Sequence, residues 1–175
     1  MRKAILVCVI VVLAMGALVL LREVLRRPAG PPEAAKPLPV RVVTLYFGSV
    51  DGTALVPEQL EIAASEKALD GLRPVLEALV GGPREGGVAL FPDGTSVRGV
   101  YITDRTAYID FSRELVEGFS GGTSGEYLLV ASVVQTVCAN FPDLDSVRLL
   151  VEGKEVDTIG GHLNVSKPLR PKDWR

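Results

Sequence analysis

An α+β fold, with helices packed on a mixed or antiparallel sheet, is the class this chain predicts. Short runs rich in β-branched and aromatic residues, at 40–47, 96–103, 106–111 and 146–153, read as strands. Two longer stretches read as helices, one with leucines spaced three and four apart and one apolar nearly all round. Two of the strands are separated by only two residues, which predicts a hairpin and hence antiparallel pairing.

The elements follow in order. Residues 4–21, AILVCVIVVLAMGALVLL, carry no charge over 18 positions. As a helix they would span about 27 Å, near the hydrocarbon thickness of a bilayer. Each Leu, Ile or Val favours insertion by roughly 0.3–0.6 kcal/mol. Residues 1–27 are therefore expected to form a single-pass transmembrane anchor with basic flanks. A cleaved signal fits less well, because the apolar run continues beyond Ala14-Met15-Gly16, and Cys8 lies too early for a lipoprotein site. Arg2 and Lys3 precede the span and Arg22, Arg26 and Arg27 follow it, so charge alone barely orients it. Residues 28–39 hold five prolines and read as a stiff, extended linker.

The folded domain is expected over 40–169, with 170–175 as a C-terminal tail. VRVVTLYF (40–47) reads as a strand buried on both faces, and LEIAA (60–64) as a weaker one. Ser65 is placed to cap a helix whose Leu69, Leu72, Leu76 and Leu79 share one face. Pro74 should kink that helix or delay its start, and Gly81-Gly82-Pro83 should stop it. The hairpin turns at Asp104-Arg105, so Tyr101 faces Tyr108 and Val100 faces Ile109. One face of the pair is core (Val100, Ile102, Ala107, Ile109, Phe111). The other carries Tyr101 and Tyr108, with Gly99 and Asp110 beside them. Residues 112–119 read as a short helix capped by Ser112. Thr123-x-x-Glu126 reads as a capping box for a central helix over 125–141. A strand at 146–153 and a short last one near EVDTIGG complete the domain, and the basic end KPLRPKDWR reads as a solvated tail.

Composition narrows the function. The chain has net charge −2, and residues 1–27 hold five Arg/Lys and one Glu, so residues 28–175 carry −6. An acidic body without a basic stripe argues against nucleic acid as a partner. Cys8 in the apolar span and Cys138 in the domain do not suit an intrachain disulfide. One histidine, His162, and no Cys/His pair at ligand spacing give no support for a metal or other cofactor. The glycine-rich run at 121–125 lacks the lysine of a phosphate loop. Ser112 is outside any G-x-S-x-G context. Asp104, Asp110, Asp143 and Asp145 read as turn residues rather than an acid–base pair.

Taken in order, VTLYF, a helix ending LVGGP, FPDGTSVRGVYI, TAYIDFSREL, a Gly-Thr-Ser-Gly-Glu helix start, NFPDLDSVRLLVEG and GGHLNVSKPL resemble the sporulation and spore germination domain, GerMN. The resemblance spans about 40–169, in a single copy. It implies an α+β fold outside the cytoplasmic membrane, and no established catalytic set. The expected function is therefore that of a non-enzymatic, membrane-anchored interaction module of the cell envelope. Its partner would be another envelope protein, docking on a sheet edge or on the face of Tyr101 and Tyr108. The alternative is a peptidoglycan-binding or amidase-assisting protein. The amino terminus is expected in the cytoplasm and the domain outside it.

Overall fold

The computed structural model describes residues 13, 15–22, 39–65 and 67–174. The chain divides into two compact units, residues 1–37 and 38–175. In the first, residues 15–22 are helical with exposed apolar side chains. Most of the expected span at 4–21, Cys8 and nearly all of the proline-rich linker lie outside the described residues. Among the described residues, no helix is long and apolar enough to cross a membrane.

The second unit is α+β, with two sheets where one was expected. β1 (Val40–Gly48) and β2 (Leu55–Ala63) form an antiparallel pair. α1 (Ala68–Val80) follows. The second sheet is mixed, in the order β3 (Val97–Thr103), β4 (Thr106–Phe111), β5 (Ser146–Val151) and β6 (Lys154–Glu155). β4 and β5 run parallel and the other pairs antiparallel. The parallel step needs a crossover, and α2 (Glu114–Glu117) and α3 (Thr123–Asn140) supply it.

β1 corrects the expectation of a strand buried on both faces. Val43, Leu45 and Phe47 enter the core, whereas Val42 on the opposite face is 57% exposed. What the sequence does not reveal is how its outer edge is closed. Asn140 Oδ1 accepts the Thr44 amide at 2.9 Å, and its Nδ2 donates to the Thr44 carbonyl at 2.6 Å. Thr136 Oγ1 accepts the Tyr46 amide at 3.1 Å, and the Ser132 hydroxyl donates to the Tyr46 carbonyl at 2.5 Å. Gly48 completes the edge by exchanging two bonds with Val88. The spacing works because four helical residues rise about 6.0 Å and two strand residues about 6.8 Å. A polar stripe on an otherwise apolar helix thus takes the place of a neighbouring strand.

α1 buries Leu72, Val75, Leu76 and Leu79, but Leu69, expected on the same face, is 45% exposed. Pro74 is accommodated inside the helix. Ser65 makes a local turn with Lys67 and does not cap the helix. The helix ends as expected, with Gly82 in the left-handed region at φ 87°. α3 is the central element, with Leu128 to Val134, Thr136 and Val137 all buried.

The C-terminus is not a solvated tail. Trp174 is buried and stacks on Tyr127, with ring centroids 5.4 Å apart. Gln135 Nε2 donates to the carbonyls of Pro171 and Trp174, at 3.1 and 2.6 Å.

Candidate interaction face

The β3–β4 hairpin has the predicted register, with Tyr101 opposite Tyr108 and Val100 opposite Ile109. Its two turn residues both lie in the left-handed region, Asp104 at φ 48° and Arg105 at φ 63°. That conformation matches a tight hairpin whose twist follows the strands. Arg105 is an unusual residue for it, and it is held there. Its guanidinium forks onto Asp145 at 2.7 and 2.9 Å, and its carbonyl accepts the Asp145 amide. The hydrogen bonds and charge of Arg105 hold the Asp145 carboxyl below the usual range.

This register separates two faces. Ala107, Ile109, Phe111, Val147 and Leu149 are buried on the core side. On the other side Tyr101 is 58% exposed and Tyr108 half-buried. The parallel pairing of β4 with β5 sets Arg148 beside Tyr108, so Tyr101, Tyr108 and Arg148 form a row across three strands. Arg148 is oriented by an ion pair with Glu155 on β6. At one end Asp110 is buried and accepts the Gly153 amide at 2.7 Å. At the other, the Thr106 and Ser146 hydroxyls share a bond of 2.9 Å. Arg98 from β3 pairs with Glu152 at 2.6 Å. Sequence reasoning missed Arg148. Its polar phase within SVRLLV was a usable signal, but only the parallel register brings it to the tyrosines.

This row offers aromatic area, hydroxyls and an oriented guanidinium, the side-chain types that anchor protein interfaces. Among the described residues, no cluster of three or more His, Cys, Asp or Glu is arranged to hold a metal ion.

Three other sequence readings are corrected. Ser112 does not cap α2. Its hydroxyl accepts the Ser96 amide at 3.0 Å and ties down the segment before β3. Thr123 makes no cap bond, because Gly122 occupies the cap position of α3. Glu126 is fully buried and reaches away from the helix start into the 158–163 loop. Oε1 accepts from the Thr158 hydroxyl and the amides of Ile159 and Gly160, at 2.6, 2.8 and 2.9 Å. Oε2 accepts the amides of His162 and Leu163 at 2.9 and 3.2 Å. Burial raises the carboxyl's pKa, but the Thr158 hydroxyl and the loop amides outweigh it and hold it below the usual range. Gly160 makes the approach possible, since a Cβ there would fall 2.4 Å from the Phe119 ring.

A sequence model of the Germane family, described as sporulation and spore germination, matches residues 44–157, well over half of the chain. The chain belongs to the Germane family. The matched region runs from β1 through β6 and includes the Tyr101–Tyr108–Arg148 row. Solved structures agree. The first GerMN domain of the sporulation protein GerM from Bacillus subtilis is 27% identical, with a TM-score of 0.61 over 76% of this chain and 99% of that one. The tandem GerMN domains of the same protein are 26% identical with a TM-score of 0.58, over 77% of this chain. They are covered to 48%, as a single copy of the domain would cover them. A candidate lipoprotein from Clostridium perfringens is 26% identical with a TM-score of 0.57, over 77% of this chain and 89% of that one. No curated protein matches.

Proposed function

We propose that this Germane-family chain is a non-enzymatic, membrane-anchored interaction module of the cell envelope. Residues 4–21 hold it in the cytoplasmic membrane, the amino terminus is cytoplasmic and the domain lies outside. The uncharged 18-residue run supports the anchor. A C. perfringens relative described as a candidate lipoprotein is consistent with attachment at a membrane surface. The partner is another envelope protein, and the observation that carries this reading is the row of Tyr101, Tyr108 and Arg148 on the polar face of the mixed sheet.

The test is Tyr101→Ala combined with Tyr108→Ala in the full-length chain. Neither side chain belongs to the fully buried core, so the circular dichroism spectrum should be unchanged and the variant should remain folded. Chemical crosslinking in the native host should lose the partner band. Unchanged crosslinks would remove this face from consideration.

Binding to peptidoglycan is a second reading, and one observation favours it. A groove of about 450 Å³ at the glycine-rich corner is lined by Gly52, Thr53, Thr123, Ser124, Tyr127 and Leu163, with no charged side chain among them. Hydroxyls beside an aromatic ring suit a neutral sugar. Retention of the protein on purified sacculi supports this reading, and its absence in the pellet removes it.

A further inference from the structure

The sheet edges of this protein are closed in part by different devices, and the outer edge of β3 keeps an open stretch beside a groove. On β1, side chains of α3 bond the backbone of Thr44 and Tyr46, and Val88 bonds Gly48. Since Gly48 faces outward, the even-numbered residues of β1 do so too, and the odd ones face β2. Their partners Val56, Glu58, Leu60 and Ile62 therefore face inward, and Pro57 falls at an outward position of β2. A proline there has no amide to offer an incoming strand, a recognised way of blunting an edge.

β3 shows the same alternation of inward and outward residues. Phe111 directs its carbonyl away from β3, to the Glu152 amide. Residues 107, 109 and 111 therefore face β5, and 106, 108 and 110 face β3. Their partners Gly99, Tyr101 and Thr103 face β4, which leaves Arg98, Val100 and Ile102 facing outward. Arg73 of α1 closes the first part of this edge, donating to the carbonyls of Val97 and Arg98 at 2.9 and 2.7 Å. Among the described residues, the outward amides and carbonyls of Val100 and Ile102 have no such cover. Beside them lies a groove of about 500 Å³ between α1 and β3, walled by Leu69, Pro74, Val100 and Tyr101. Arg73 and Arg98 also reach the groove, with Asp70 beside them, and their guanidinium groups are already paired with Glu77 and Glu152.

We infer that an extended segment of the partner adds to the outer edge of β3 as a further strand, in the groove against α1. Unpaired backbone groups two residues apart are complementary to a strand and to little else. The incoming segment places an apolar side chain against Leu69 and Pro74. This inference rests on the interaction reading above and specifies how the partner is held.

The test places the photo-reactive residue benzoylphenylalanine at Leu69 in the groove or at Thr103 on the polar face, in the full-length chain in its native host. Crosslinks from Leu69 should map to one continuous segment of one partner. A synthetic peptide of that segment is then N-methylated at alternate residues and titrated against the full-length protein. Methylation in one phase should weaken binding at least tenfold, and in the other phase should leave it unchanged. Equal sensitivity of both phases overturns strand addition. Crosslinks from Thr103 without any from Leu69 also overturn it and leave the interaction module standing. The absence of crosslinks from both sites overturns the interaction module itself.

Discussion

Glu126 carries its charge inside the domain, where a carboxylate is tenable only if donors replace its hydration. Three donors on Oε1 and two on Oε2 do so. Glu126→Gln would turn an NH₂ group toward amides that are themselves donors, and should cost about 3 kcal/mol in urea unfolding. The pH dependence follows from the depressed folded pKa. The contribution is complete above the ordinary glutamate value of about 4.3 and fades as pH falls through the lower folded value. The gap between wild type and Gln should therefore narrow in that acid range. The sequence invited a wrong reading here, because T-x-x-E ahead of an apolar helix looks like a capping box. The partners that decide otherwise lie more than thirty positions downstream. Among the described residues, Cys138 is a second perturbed group in the interior, and burial, helped by the Asp145 charge, pushes its thiol up to about 11. Iodoacetamide at pH 8 should label it at least tenfold more slowly in the folded chain than in urea, as read by mass spectrometry.

Among the elements, the pairing of β1 with α3 makes the sharpest demand on sequence. Thr136→Val keeps the shape of the side chain and removes the acceptor of the Tyr46 amide. It should destabilise by about 1–2 kcal/mol in the same unfolding assay, with no change at the Tyr101 face. The hairpin register was legible beforehand because a two-residue turn leaves one pairing of the flanking strands. The long helix was legible from its length and apolar surface. The division into two sheets was not. Strand patterns resemble one another whichever neighbour they meet, and a serine, a threonine and an asparagine within an apolar helix do not declare that they face a strand edge. The polar face was half legible, since the tyrosines follow from the hairpin while Arg148 arrives only through a parallel crossover.

For the molecule as a whole, the last residues act as a clasp. Trp174 is the one tryptophan of the chain, so its fluorescence reports docking against Tyr127 without interference. Its emission should be blue-shifted in the folded protein and should move to the red with the same midpoint as the far-ultraviolet signal. Trp174→Ala should cost about 3 kcal/mol. A red-shifted emission in the native protein would contradict the packed terminus.

The stripe of Ser132, Thr136 and Asn140 also bears on how the chain is made. The backbone groups it satisfies on β1 lie 86 to 96 positions earlier, so they leave the ribosome, and on the proposed route the translocon, long before their partners exist. An isolated two-stranded ribbon is marginal in water, and this one would wait with a bare margin and an oily underside. Sequestration by a holding chaperone until α3 emerges would protect it. Truncated chains ending before Ser132 should accumulate as aggregates, whereas those reaching beyond Asn140 should stay dispersed.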